Sequence, residues 1–372
     1  MKRQIKIVIM LFLALCFACP QVFACTGITL KAEDGAVVFG RTLEWSGPTA
    51  KRNIMIIPRG QKFIGTTPDG NNGFKWSAKY GVVALEEWAT GKGAIIDGLN
   101  EKGLAVGIFF HPGFAKYQKY DPSKAKRSIE SIEVIKLLLS TCGSIKDVRK
   151  TLKKVRVVPV IDKTMGIAIP LHFIATEPSG KAIVIEYLKG KLKIFNAPLG
   201  AVTNSPAYDW HMTNLRNYIN LSPVPLPAKK IDGIKFRPIG MGSGYIGLPG
   251  DFTPPSRFIR AVTFSKNARS TKDGKETMYE VFHILDNFNV PLASAEKPDK
   301  GKDKVVKSRS GTLWTSASDT KNRVVYYHTQ HNRRVRMVDL KKIDFKSPGK
   351  ITRFPMDKVK SQDIEDVTPK NR

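Results

Sequence analysis

The chain has 372 residues, with 61 Lys and Arg against 32 Asp and Glu, a formal net charge of +29. Hydrophobic residues make up 42% and charged residues 25%, which excludes collagen-like, low-complexity and wholly disordered chains. Four Cys are too few for a disulfide-built scaffold, while the length suffices for one large core or two ordinary ones.

Residues 1–24 read as a secretory signal peptide. Lys2, Arg3 and Lys6 form a positive start, Ile7 to Cys19 is a 13-residue uncharged stretch, and Val22-Phe23-Ala24 suits a cleavage site. The apolar run falls short of the roughly 20 residues that span a bilayer. Export to the periplasm or the medium is therefore expected, with Cys25 leading the mature chain and Cys142 its only other Cys. On these residues alone three readings of Cys25 stand open. They are a lipidated cysteine, which bulky Phe23 disfavours, a disulfide with Cys142, and an N-terminal nucleophile.

In chain order, Cys25–Leu30 and Ala36–Trp45 predict a hairpin turning at Asp34-Gly35. Ala94–Leu99 and Gly103–Phe110 predict a second pair, and Ala182–Tyr187 with Leu192–Phe195 a third that turns at Lys189-Gly190. Helical periodicity runs over Ile129–Thr141, then from the capping box Ser144–Asp147 to about Val155, and over Ser256–Phe264 and Glu276–Asn287. Strands return at Gly311–Ser316, Arg323–Thr329 and Val335–Leu340. Lys297–Lys304 reads as a Lys-rich loop. Strands grouped on both sides of grouped helices predict an α+β fold in stacked layers, one domain over 25–356 with a polar, frayed tail at 357–372.

Several motifs then point one way. Cys25-Thr-Gly-Ile is followed by Phe39-Gly-Arg-Thr-Leu-Glu-Trp45, Asp97-Gly-Leu-Asn-Glu-Lys-Gly-Leu104, Val202-Thr-Asn-Ser-Pro206 and Leu248-Pro-Gly-Asp251 with Ser256-Arg-Phe258. In order and number these resemble the choloylglycine hydrolase family, which includes bile salt hydrolases and penicillin V acylases among the N-terminal nucleophile hydrolases. The resemblance implies a four-layer αββα sandwich, no cofactor or metal, and commonly a homotetramer. It leans toward the exported penicillin V acylase branch.

The resemblance assigns roles that chemistry can rationalise. A neutral thiol is a weak nucleophile, and an α-amine of reference pKa near 8 can deprotonate it without a histidine. Cys25 supplies both groups once residues 1–24 are gone. By the match Arg41 lies near the thiol, although a strand Arg is more often exposed. Glu44 stands where the family shows Asp, and would orient the α-ammonium. Asn204 matches the oxyanion-hole asparagine, although before Ser-Pro it also reads as a turn residue. Arg257 matches the family's late arginine, otherwise an ordinary Arg in the first turn of a helix opened by Ser256. Phe110 stands where bile salt hydrolases show Asn and some penicillin V acylases Tyr, so the second oxyanion contact is left to a backbone N–H. Trp45, Phe109 and Phe110 are candidates for an apolar acyl pocket, against the usual core role of aromatics. His111 and His211 read as structural, Cys142 as a buried free thiol, and no zinc spacing or phosphate loop appears.

The expected activity is hydrolysis of a small-molecule linear amide through a Cys25 thioester. Penicillin V leads the candidates, ahead of N-acyl homoserine lactones and conjugated bile salts. Without Lys2, Arg3 and Lys6, 58 basic residues face 32 acidic ones, a net +26. Such a field favours anionic substrates and nonspecific attraction to anionic envelope material, with no nucleic-acid motif beside it. The non-enzyme rival is a basic envelope-binding lipoprotein.

Overall fold

Alternating side chains along the first two strands give the expected hairpin. Cys25–Lys31 pairs antiparallel with Val37–Trp45, Cys25 opposite Leu43. Asp34 Oδ1 accepts from Ala36 N at 2.8 Å and Gly35 takes φ +83°, the left-handed geometry that an Asp-Gly turn requires. The structure is a computed structural model that describes residues 25–45, 51–87, 93–292, 294, 310–346 and 349–369. The leader at 1–24 and the Lys-rich loop lie outside the described residues.

This hairpin forms one edge of a five-stranded antiparallel sheet. Its order is Cys25–Lys31, Val37–Trp45, Gly311–Asp319, Val324–Thr329 and Arg336–Asp339. The outer side of Cys25–Lys31 is met by one bridge, with Gly27 N donating to Val202 O at 2.8 Å and Val202 N to Gly27 O at 3.0 Å. An eight-stranded antiparallel sheet faces the first. It runs Lys191–Asn196, Ala182–Leu188, Leu171–Thr176, Ala105–Phe110, Ala94–Asn100, Val82–Glu87, Arg52–Ile57 and Thr352–Pro355.

Both faces of the larger sheet are buried, because consecutive strand residues point to opposite sides. Phe109 and Ile174 join a core with Ile28, Leu43 and the late helices, whereas Phe110 and Phe173 join a second core with Leu138 and Val148. Helices Pro254–Lys266 and Gly274–Leu285 pack on the smaller sheet, and Val134–Thr141 packs on strands of the larger one. The layers are therefore helix, sheet, sheet, helix, the α+β αββα sandwich expected.

Several local expectations shift. The helix expected from Ile129 starts at Val134, because Ser128–Glu130 pairs in parallel with Arg156–Val158 and Ser131–Glu133 forms a 3₁₀ turn. The helix expected to open at Ser256 opens at Pro254 behind Thr253, since proline suits a first helical position. Ser144 caps Ile145–Lys154 as predicted, its Oγ accepting from Asp147 N at 3.2 Å. The tail is tied down as far as Asp363: Asp357 accepts from Thr329 Oγ1 at 2.7 Å, and Gln362 Nε2 donates to Gln330 O at 3.0 Å. Among the described residues no helix is long and apolar enough to cross a membrane.

The smaller sheet and the helix Gly274–Leu285 meet tightly at Gly40. A Cβ there would lie 2.2 Å from Val281 Cγ1 and 3.0 Å from Ser316 O. Gly40→Ala should therefore cost about 1–3 kcal/mol of stability by overpacking. A denaturant midpoint equal to that of the parent would show that this helix is not seated there.

Candidate active site

Cys25 begins an edge strand, yet it is only 3% exposed. Its backbone N donates to Asn204 Oδ1 at 2.9 Å. The same oxygen accepts from Arg257 Nη2 at 2.7 Å. Arg257 Nη1 donates to Cys25 O and, at 2.9 Å, to Thr26 Oγ1, while its Nε donates to Phe252 O at 2.9 Å. Three residues from distant parts of the sequence thus share one hydrogen-bonded cluster. Asn204 Nδ2 spends one N–H on Phe110 O at 2.8 Å, and the amide has a second. Phe110 therefore supports the site through its carbonyl, a role that its side chain could not announce.

Arg41 and Glu44 act on the thiol by charge. Arg41 is fully buried, its Nε donating to Thr42 O and its Nη1 to Ile96 O, both at 3.2 Å, and its Nη1 also to Ile108 O. Its guanidinium lies 4.4 Å from the Phe109 ring centroid and 5.3 Å from that of Trp314. Burial pushes the Cys25 thiol pKa up, and the Glu44 carboxylate adds to this; Arg41, Arg257 and a backbone hydrogen bond from Glu44 pull it back. Burial likewise raises Glu44 to about 7, against Arg257, Arg41 and the hydroxyls of Thr42 and Thr312, the last donating to Oε1 at 2.8 Å. At Cys25 N the hydrogen-bond acceptor is Asn204 Oδ1.

An apolar cavity of about 60 Å³ opens on Cys25. Leu43 and Trp45 wall it from the hairpin side, and Ile96, Ile108, Phe110 and Leu171 from the larger sheet. Trp45 meets Phe110 edge to face at 6.2 Å. Phe109 is a correction: it cannot share this wall with Phe110, because neighbours on a strand face opposite sides, and it lies under Arg41 instead. Cys25 and Cys142 are both buried free thiols, so the disulfide reading is set aside.

Sequence reasoning gave Asp97 no role. It is fully buried, accepts from Ser316 Oγ at 2.5 Å and feels the charge of Arg41, while burial lifts it to about 6. A carboxylate set between Ile-Ile and Gly-Leu in a strand was the signal available. His111, His172 and Glu186 bring potential ligand atoms within 4.8 Å of one another. They fit a metal poorly. The two imidazoles stack nearly parallel with ring centroids 4.2 Å apart, so their in-plane lone pairs do not converge on one ion.

With this geometry in hand, residues 25–353 match the model of the linear amide C–N hydrolases, choloylglycine hydrolase family. A bile salt hydrolase/transferase of Clostridium perfringens is 32% identical over 323 residues, 86% of this chain and 93% of that protein. A penicillin V acylase of Pectobacterium atrosepticum is 26% identical over 329 residues, 84% of this chain and 79% of that protein. A solved structure of a mutant conjugated bile acid hydrolase from Clostridium perfringens superposes with a TM-score of 0.78 at 28% identity, covering 92% of this chain and 99% of the other. Fold and site define a hydrolase of linear amides. The chain belongs to the choloylglycine hydrolase family.

Glu44 gives a test of the electrostatics. Its folded pKa lies above the ordinary carboxylate value of 4.5, so the stability it contributes is complete below pH 4.5 and is lost as the pH rises through about 7. Glu44→Gln does not titrate, so relative to the parent it should gain up to about 3 kcal/mol between pH 4.5 and 8. Thermal melts that run parallel across that range would contradict this.

Proposed function

We propose that the chain is exported and trimmed between Ala24 and Cys25, and that the trimmed Cys25 is the nucleophile of the family's amide hydrolysis. The observation that supports this most directly is the apolar cavity opening on Cys25, beside an asparagine amide held by Arg257. Because burial raises the thiol pKa, a proton acceptor must act together with attack. The α-amine of residue 25 sits on the same residue and is that acceptor. The sulfur attacks the amide carbonyl and its proton passes to the α-amine. The second Nδ2–H of Asn204 and a backbone N–H receive the developing oxyanion, a contact typically worth on the order of 3–4 kcal/mol. The α-ammonium returns the proton to the leaving nitrogen, the C–N bond breaks and a thioester remains. Water, deprotonated by the same amine, cleaves the thioester and restores the thiol. Glu44 and Arg41 hold the charge balance around the sulfur.

The acyl group is the part of the substrate that enters the cavity. The walls are apolar and enclose about 60 Å³, well under the ~150 Å³ that holds benzene, so only the slim apolar end of an acyl group is enclosed, and a fused steroid is not. We place phenoxymethylpenicillin first, on the similarity to a penicillin V acylase, and N-acyl homoserine lactones second. Conjugated bile salts are the alternative reading, favoured by the 32% identity to a bile salt hydrolase/transferase. Intact mass of the exported protein should show a free amine and a free thiol at residue 25. Cys25→Ser should lower turnover at least 1,000-fold, on the order of the loss of a nucleophile, on whichever of the three substrates the parent cleaves. Full activity in that variant, or a lipid adduct on Cys25, would overturn the mechanism.

We also propose that the mature chain assembles with copies of itself. Large apolar side chains stand exposed along one stretch: Ile219, Ile234, Phe236, Ile239, Met241 and Ile246, with Ile239 fully so. Lys229–Ile231 and Ile234–Phe236 form a hairpin there that turns at Asp232 and Gly233, both at positive φ. A patch of this kind on a soluble protein marks a contact surface. The double variant Ile234→Glu/Phe236→Glu should run as a monomer in light scattering where the parent runs as an oligomer. A monomeric parent would reject the assembly.

A further inference from the structure

The segment that carries Asn204 is held from below by three histidines, none of which the proposed mechanism uses. His172 Nε2 lies 2.9 Å from Thr203 O, His211 Nε2 lies 2.9 Å from Asn204 O, and His111 Nε2 lies 3.3 Å from Pro206 O. A carbonyl only accepts, so each imidazole must carry its proton on Nε2. The rings have little freedom. His111 stacks on His172 at 4.2 Å, His211 stacks on Phe258 at 4.8 Å, and all three are at most 2% exposed.

Glu186 fixes the first of these tautomers. With its proton on Nε2, His172 turns the Nδ1 lone pair toward Glu186 Oε1 at 3.1 Å, and that oxygen also accepts from Tyr208 N at 3.0 Å. Two acceptors cannot face each other unless a proton lies between them. Burial pushes Glu186 up to about 7 and His172 down to about 4, so the favoured form is a neutral acid donating to a neutral imidazole. An ionised Glu186 would draw the imidazole proton to Nδ1 and leave Nε2 facing Thr203 O without a hydrogen.

We propose that His172 and His211 are positioning residues for amide hydrolysis: their Nε2–H groups clamp the carbonyls of Thr203 and Asn204, and so aim the Asn204 side chain at Cys25 and the oxyanion. The inference rests on the reading of Cys25 and Asn204 given above. It adds that the site's accuracy is set by a buried histidine layer, with Glu186 supplying the proton that orients His172. The alternative is that these rings merely fill the core.

Paired substitutions separate the two. Phe keeps the ring and removes the donor, whereas Gln keeps an N–H near the position of Nε2. His211→Phe and His172→Phe should each lower kcat 10- to 100-fold with KM within twofold of the parent. His211→Gln and His172→Gln should recover most of that loss. Alkylation of Cys25 by iodoacetamide, followed by mass, needs no substrate; it should slow at least threefold in the Phe variants and return toward the parent rate in the Gln variants. Phe variants with parental kcat and parental alkylation would overturn the proposal, as would folded Gln variants as slow as the Phe ones. A parent that is alkylated at Cys25 but hydrolyses no linear amide would count against the functional reading alone, and alkylation would still decide the clamp. If a Phe variant does not fold, its Gln counterpart decides: near-parental kcat and alkylation support the clamp, and loss of both in a chain with the parental melting temperature overturns it. In ¹⁵N-histidine spectra of the parent, an Nε2 without a proton on either ring would also overturn it.

Discussion

The guanidinium of Arg257 is the joint on which the site depends. It is 1% exposed, and in one plane it satisfies the carbonyl of Cys25, the hydroxyl of Thr26 and the amide oxygen of Asn204. A planar fork of fixed donors can do this, and a lysine ammonium cannot. Burial pulls its pKa down to about 10, still far above neutrality, so the cation persists. Its charge is felt by Glu44 and by the thiol, so the group that fixes the geometry also tunes the chemistry.

The fold follows from the same economy of contacts. The first hairpin lies at a sheet edge, where one bridge to Val202 and the hydrogen bonds at Cys25 hold its outer side. Behind it, Gly40 lets Val281 approach the sheet more closely than any side chain would allow. Between the sheets Arg41 spans carbonyls of Ile96 and Ile108 under two aromatic rings, near Asp97, whose carboxylate takes the Ser316 hydroxyl. A buried polar layer of this kind is tolerable because most of its atoms are hydrogen-bonded.

Much of this was legible in the sequence where local signals agreed. Asp34-Gly35 and Lys189-Gly190 turn where expected because Gly35 and Gly190 take positive φ without steric cost. Ser144 capped its helix for the same kind of reason. Strands Arg52–Ile57, Val82–Glu87 and Leu171–Thr176 were not read. Val82–Glu87 and Leu171–Thr176 are buried throughout, so the alternation that marks a one-sided strand is missing. At the site, motif matches brought forward Cys25, Asn204 and Arg257, which do meet. They could not separate Phe109 from Phe110, since a motif does not say which way a pleat faces. They included Asp97 without giving it a role and did not reach His172 or Glu186, whose partners lie on other strands or in a loop far along the chain.

The contacts at Cys25 also span great lengths of chain. Its partner Asn204 is 179 residues away and Arg257 is 232. A ribosome adding roughly 5–20 residues per second would need ~10–50 s to deliver the arginine after the cysteine. For most of that interval the sulfur lacks its amide neighbour, and for all of it the guanidinium of Arg257, and it stands open to oxidants. Its safety during synthesis must therefore come from its surroundings, and only the completed polypeptide can shelter it.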